Sequence, residues 1–288
     1  MEHLFALPNG LSISGMSRFE TRVLYHEVFE SDAYWKHGLR LRPGEIVLDV
    51  GANIGMFALG VAARFPGVVV HAFEPMPRVY EALVENARRC DLARIETHAH
   101  GLSKALGVET FTFDPNFTFA ASSHLEELAR LLRGRASLRD WREAVVEDLR
   151  ITGVYGNGAL SPLLRTAVTN TPASMLVAGA MTIRRALAVQ KVMAPVKTLA
   201  SVVKELSVPG IGLLKVDVEG AELDVLHGLD AESWPLIHRV VAEVHDVDGR
   251  VERIRDLMES HGLEVLVEQE PRPLKKLLSM YLVYGHRS

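Results

Sequence analysis

The sequence predicts an α/β protein built on a doubly wound, mostly parallel sheet whose last strand runs antiparallel. Three observations carry this. The stretch Ile46-Val47-Leu48-Asp49-Val50-Gly51-Ala52-Asn53-Ile54-Gly55-Met56-Phe57 passes from apolar, β-branched residues through two glycines into apolar residues at helical spacing, which reads as strand, tight turn and helix. A second apolar run, 68–73, ends in Glu74, 25 positions after Asp49. That is close to the ~20-residue spacing at which a nucleotide-binding βαβ unit presents an acid to a ribose. Finally, the strand-like runs 263–267 and 280–284 are joined by 268–278, too short for a crossover helix, so they pair antiparallel.

Composition narrows the function. At 288 residues, 48% hydrophobic and 24% charged, the chain suits one large soluble domain or a domain with a substantial insertion. The single cysteine, Cys90, excludes an internal disulfide framework and any multi-thiolate metal site, and fits a reducing cytoplasm, the expected location. A net charge of −4 with no lysine-rich arm argues against a general nucleic-acid binder. Met1-Glu2-His3 does not open a signal peptide. The charge-free run 166–183 contains threonines, Asn170 and Pro172, which suits a buried or ligand-facing segment and not a membrane span.

Taken in order, residues 11–40 read as a helical lead-in that packs onto the sheet, with Tyr25 and Glu27 placed to touch a bound cofactor. Pro43-Gly44 turns the chain into the first strand, and Pro66-Gly67 stops the helix after the glycine turn. A helix over 77–89 buries Val79, Leu83 and Ala87. A third strand follows at 93–98 and leaves through Gly101-Leu102-Ser103, the loop that lies beside an adenine in such sheets; His100 and Ser103 are candidates to touch the base. Residues 108–113 alternate like an extra strand.

From 114 to 195 the pattern changes. Helices are expected at 124–133, 137–149 and 181–192, with a break at 155–158, and the stretch is too long for a connection. It reads as an inserted helical subdomain. It has ten basic residues against seven acidic ones on an otherwise acidic protein, which suits a lid over an apolar substrate, a dock for an acidic carrier, or a solvated helical face. The predicted organisation is a lead-in over 1–42, a core over 43–113 and 196–288, and the insertion over 114–195.

The candidate site gathers at strand ends. Gly51 leaves room for a ligand where a Cβ would stand, Gly55 lets the next helix pack close to the strand, and Asp49 adds an acceptor beside the turn. Asn53 replaces the middle glycine of a dinucleotide fingerprint. A strand-end carboxylate with this turn suits a ligand carrying an ammonium, such as S-adenosylmethionine, while the Glu74 spacing fits either a methyl donor or a nicotinamide cofactor. The stretch 213–222 brings Asp217, Glu219 and Glu222 to the carboxyl end of a further strand, more acids than capping requires. His245, followed by Asp246, ends the next strand as a candidate proton acceptor with an orienting acid.

Together these motifs resemble the FkbM family of S-adenosylmethionine-dependent methyltransferases. The resemblance rests on Asp49-Val50-Gly51-Ala52-Asn53-Ile54-Gly55, Phe73-Glu74-Pro75, the run from Leu214 to Glu222 and Val241-Ala242-Glu243-Val244-His245, in that order. It implies a Rossmann-like class I methyltransferase fold and O-methylation of hydroxyl groups in secondary metabolites or sugars. Trp234-Pro235 and Val247-Asp248-Gly249-Arg250 resemble the members attached to assembly lines. Carried onto this chain, Asp49, Gly51, Asn53 and Gly55 would hold the methionine part of the cofactor, Glu74 with Pro75 the ribose, and His100, Gly101 and Ser103 the adenine side. His245 would be the base, with Asp217 or Glu219 as orienter or alternative base.

The partners expected are a small-molecule acceptor, free or carrier-bound, and a homodimer is allowed. Several alternatives stay open: carboxyl methylation, a catechol-type enzyme holding Mg²⁺ on Asp217, Glu219 and His245, a nicotinamide oxidoreductase, and a non-catalytic cofactor-binding module. The turn after Asp217 lacks the Asn/Asp-Pro-Pro-aromatic pattern of adenine amino-methylation, and Cys90 is misplaced for cytosine methylation.

Overall fold

The computed structural model describes residues 3–114, 117–122, 138–153 and 190–287. Its centre is β3 (Ile46–Val50), which pairs in parallel with β4 (Val69–Phe73) on one side and β10 (Leu213–Val216) on the other. Beyond β4 lies β5 (Arg94–His98), and beyond β10 lies β11 (Arg239–His245), again parallel. The last strand, β13 (Met280–His286), inserts antiparallel between β11 and β12 (Glu264–Gln269). The seven-stranded order is therefore β12-β13-β11-β10-β3-β4-β5. The chain direction across the sheet reverses between β3 and β10, the position at which an open α/β sheet leaves a crevice at its carboxyl edge.

Period-two alternation sends Val47 and Val70 to one face and Leu48, Val50 and Phe73 to the other. On the first face, α2 (Met56–Arg64) and α3 (Pro77–Arg88) cover the sheet. On the second, α5 (Leu199–Leu206), α6 (Glu222–His227) and α7 (Arg250–Ser260) do so. Both faces are buried, which is why the central strands are mostly apolar, with Asp49, His71 and Lys215 as their polar members.

The lead-in is not helical from its start. Residues 11–17 of the expected helix belong instead to a hairpin of β1 (His3–Ala6) with β2 (Ser12–Gly15) and to the cap of the helix that follows. The side chain of Asn86 on α3 accepts from Ser14 N (2.7 Å) and donates to Ser14 O and to Ile54 O (2.8 Å each). The hairpin and the glycine turn are thus tied to one buried amide. Helix α1 (Arg18–Tyr25) starts at Ser17, whose hydroxyl accepts Glu20 N, and widens into a π-helical turn, His26–Glu30. Trp35 stacks on Phe57 of α2 at 5.3 Å and donates its indole N–H to Val28 O, docking the segment on the sheet.

A second sheet stands beside the carboxyl edge, with β6 (Gly101–Leu102), β7 (Gly107–Asp114), β8 (Phe117–Ser122) and β9 (Gln190–Lys197) in the order β6-β9-β7-β8. The expected strand at 108–113 lies within β7. Residues 190–192, expected as the end of a helix, are extended in β9, where pairing with β7 outweighs helix propensity and Ala194 and Val196 turn inward. The strands β7 and β9 cross the expected boundaries at 113/114 and 195/196, so this sheet ties the ends of the insertion to the core. Helix α4 (Leu138–Ile151) fits the expectation for 137–149. The expectations for 124–133, 155–158, 166–183 and 181–189 lie outside the described residues. No helix among the described residues is long and apolar enough to cross a membrane.

Candidate active site

The turn after β3 alternates into left-handed backbone three times, with φ +76° at Gly51, +50° at Asn53 and +87° at Gly55. Asparagine is one of few residues besides glycine that tolerate this region, which explains the missing middle glycine; its side chain accepts its neighbour Ile54 N at 2.7 Å. The glycines answer to the protein as well as to a ligand. A Cβ on Gly51 would stand 1.8 Å from the Asp217 carbonyl oxygen, and one on Gly55 would stand 2.7 Å from Leu83 Cδ1. The close approach at Gly55 is therefore to α3, not to the preceding strand.

Asp49 lies beneath the turn. It is 0% exposed and faces Lys215 across the β3–β10 register, with Nζ 3.1 Å from Oδ1. Burial raises the carboxyl pKa and the lysine charge opposes the rise. Lys215 also donates to Gly51 O at 2.9 Å. The pair is a strut supporting the turn, and Asp49 does not line the cavity.

That cavity, of about 290 Å³, opens at the switch point. One wall holds Gly51, Asn53, Glu74, Pro75 and Met76. Glu74 is 6% exposed, and its two oxygens are aimed by backbone amides, Oε2 by Asn53 N (3.0 Å) and Oε1 by Met76 N (2.9 Å). Burial pushes its pKa up to about 7 in spite of these bonds. A narrower pocket of about 30 Å³ shares Gly51, Pro75, Phe111 and Val218 and adds Gly101 and Leu102. His100 and Ser103 are not on its wall: the His100 imidazole bonds Gly101 O and tilts against Phe73, and Ser103 is buried with its N–H on Lys197 O.

Beside Gly51 the cavity also carries Asp217, Glu219 and His245. His245 is 4% exposed, with Nε2 3.0 Å from Glu219 Oε2. Burial works against charging the ring, but the Glu219 hydrogen bond and carboxylate, backed by Glu222 and Glu243, hold its pKa up to about 9. Its Nδ1 has no hydrogen-bond partner among the described residues. Glu219 sits at φ +53°, a strained position for a glutamate. Asp217 turns toward Lys215 at 3.5 Å, and burial raises its pKa. Glu222 is fully buried, accepts Gly220 N at 2.6 Å, and is pushed up to about 7 by burial.

Glu27 reaches the cavity from the π-helical turn, whereas Tyr25 stacks on Phe29 in the core and does not. Glu27 belongs to a buried charge network that the sequence did not reveal. Lys275 on α8 (Pro273–Leu277) meets Glu243 at 2.7 Å and Glu27 at 3.0 Å; Arg272 meets Glu27 at 2.5 Å and Asp148 of α4 at 3.5 Å. Burial alone would discharge Lys275, yet the two carboxylates raise its pKa far above the ordinary value. Glu243 had a signal: it stands two residues before His245 and hence on the same strand face. Arg272 and Lys275 had none, because their partner Glu27 is some 245 positions away. Phe19, Val23, Leu24, Val145 and Leu149 make the remaining wall apolar.

Residues 49–265 match the methyltransferase FkbM domain. The chain is 37% identical over 266 residues to the 31-O-demethyl-FK506 methyltransferase FkbM of Streptomyces tacrolimicus, covering 92% of this chain and 90% of that protein. It is 34% identical over 269 residues to the AMB antimetabolite synthetase AmbE of Pseudomonas aeruginosa, covering 92% of this chain but 12% of that protein. Among solved structures it is similar to magnesium protoporphyrin IX methyltransferase from Synechocystis PCC 6803 with bound SAM, at 9% identity and TM-score 0.41, covering 93% of this chain and 82% of that one.

Proposed function

The chain belongs to the FkbM family of S-adenosylmethionine-dependent methyltransferases, and from that premise we propose that it methylates a hydroxyl oxygen of a largely apolar acceptor, free or held on a carrier protein. The observation that carries this reading is one cavity that holds the His245–Glu219 pair together with the glycine turn and Glu74, with an apolar flank of Phe19, Val23, Leu24, Val145 and Leu149 beside the buried charge network of Glu27, Arg272 and Lys275. A hydroxyl acceptor is further supported by the 31-O-demethyl substrate named for the Streptomyces relative. A carrier-bound acceptor is supported by the synthetase relative, in which the matching part is a small share of a much longer chain.

The donor fits the residues present. Glu74, with both oxygens already oriented by amides, offers lone pairs suited to two ribose hydroxyls. The backbone at Gly51 and Asn53 would hold the amino-acid part, and the side of the cavity at Pro75 and Phe111, toward Gly101 and Leu102, would take the adenine. When bound, S-adenosylmethionine supplies a methyl group activated by its sulfonium charge. The protein's share is alignment and proton removal. His245 Nδ1 is buried and Nε2 bonds Glu219, so the acceptor hydroxyl would be met at the Nε2–Glu219 end of the pair. Glu219 orients the ring and stabilises its protonated form, while Asp217, held by Lys215, keeps negative charge on the same wall. A catechol-type Mg²⁺ site gains no support, because Asp217 turns to Lys215 and its oxygens do not converge with Glu219 and His245.

Calorimetric titration with S-adenosylhomocysteine, beside NAD⁺, tests the donor site: binding of the first alone, lost in Glu74→Ala, is expected. Product chemistry then separates the acceptor classes. A methyl ether survives mild base, whereas a methyl ester is hydrolysed; base-labile product would replace hydroxyl by carboxyl methylation.

A further inference from the structure

Away from this cavity, His71 of β4 and Glu96 and His98 of β5 share one face of the sheet, since the parallel register sets His71 beside Glu96 and Phe73 beside His98. His71 Nδ1 lies 3.1 Å from His98 Nε2 and 3.5 Å from Glu96 Oε2, and the three candidate ligand atoms all fall within 4.8 Å of one another. A tetrahedral zinc ion bound at about 2.0–2.2 Å to nitrogen and oxygen separates neighbouring ligand atoms by about 3.3–3.5 Å. The His71–Glu96 spacing of 3.5 Å falls on that edge length, and the His71–His98 spacing of 3.1 Å needs only a small opening to reach it.

The surroundings suit such a site. Arg94 pairs with Glu96 Oε1, leaving Oε2 for the histidine side, so the carboxylate is oriented from outside as metal-bound carboxylates usually are. Glu96 and His98 are half-buried, which leaves a path in, while His71 is buried and fixes the inner ligand. The two facing imidazole nitrogens share one hydrogen bond at 3.1 Å, the contact a bound ion would replace. Among the described residues this is the one group of histidine and carboxylate side chains whose ligand atoms converge in this way.

We propose that His71, Glu96 and His98 form a binding site for a divalent transition-metal ion of the zinc class, separate from the methyl-transfer cavity. The site acts as a clamp on the edge of the sheet. His98 stacks on Phe73 at 4.5 Å, and its carbonyl accepts Glu74 N at 3.1 Å, so an ion joining β4 to β5 also steadies the strand end that carries Glu74.

The test uses the full chain, stripped with a chelator and titrated with zinc sulfate by calorimetry, with cobalt(II) absorption as the coordination readout. The expected results are one ion per chain, a cobalt spectrum of tetrahedral nitrogen and oxygen ligation, and a rise in Tm of about 5 °C at saturating zinc. His98→Gln and Glu96→Gln, at half-buried positions that leave the fold intact by circular dichroism, should each weaken zinc at least about tenfold. Absence of stoichiometric binding, or zinc affinity unchanged in both variants, overturns the proposal. Binding lost in His245→Gln but kept in His98→Gln would place the ion in the cavity and overturn it equally.

Discussion

His245 Nε2 lies 3.0 Å from Glu219 Oε2, at the end of one strand and in the strained loop that follows its neighbour. Burial favours the neutral ring, but the Glu219 bond and charge prevail and the pKa reaches about 9. As a base His245 must be neutral, so turnover should rise with pH and level off above about 9. Glu219→Gln removes the charge that holds the proton, and the midpoint of the pH–rate profile should move toward the ordinary 6.5 or below. His245→Gln should cut kcat by about 10²–10⁴-fold, with S-adenosylhomocysteine affinity kept. A profile with no inflection between these pH values would remove His245 from the base role. In stability, the raised pKa means that the pair's contribution is complete below pH 6.5 and is lost as pH climbs through about 9, which thermal melts across that window will show.

Glu74 also acts in its deprotonated form. Its carboxylate form accepts hydroxyls, and burial sets its pKa at about 7, so S-adenosylhomocysteine should bind progressively more weakly below that pH. The protonated form favours the unliganded fold, whose Glu74 contribution is complete below pH 4.5 and fades as pH rises through about 7. Calorimetry at pH 6 and 8 checks the first point; equal affinities would remove Glu74 from the ribose site.

Gly51 and Asn53 should differ sharply under substitution. Gly51→Ala places a methyl 1.8 Å from the Asp217 carbonyl in left-handed backbone, and should cost on the order of 3 kcal/mol or more by urea denaturation. Asn53→Gly keeps the left-handed conformation, which glycine adopts without strain, so a loss well below that of Gly51→Ala is expected. Comparable losses in the two variants would contradict this account of the turn.

Lys275→Met strands Glu243 and Glu27 without their shared cation, and removing one partner of a buried pair should destabilise by about 3–5 kcal/mol. Adding Glu243→Gln should recover part of the loss. A double variant less stable than the single one by the full Glu243→Gln cost would show that the groups are not coupled.

The strands that make the sheet, the glycine turn, the antiparallel last strand and the residues at four strand ends were legible in the chain alone. Those features are local: apolar runs, glycine spacing and connection length are readable without knowing any neighbour. Gly51, Asn53, Glu74, Pro75, Asp217, Glu219 and His245 do meet in one cavity, because strand ends sharing a sheet edge must converge, and Glu27 joins them from the π-helical turn. Tertiary structure alone decided what each side chain does there. It put Asp49 under the turn with Lys215, turned Tyr25 into the core, and drew residues 190–192 into a strand. It also joined Glu27, Asp148, Glu243, Arg272 and Lys275, and brought His71 to His98 across a strand pair. Burial, partner charge and register set those outcomes, and they depend on residues tens to hundreds of positions apart.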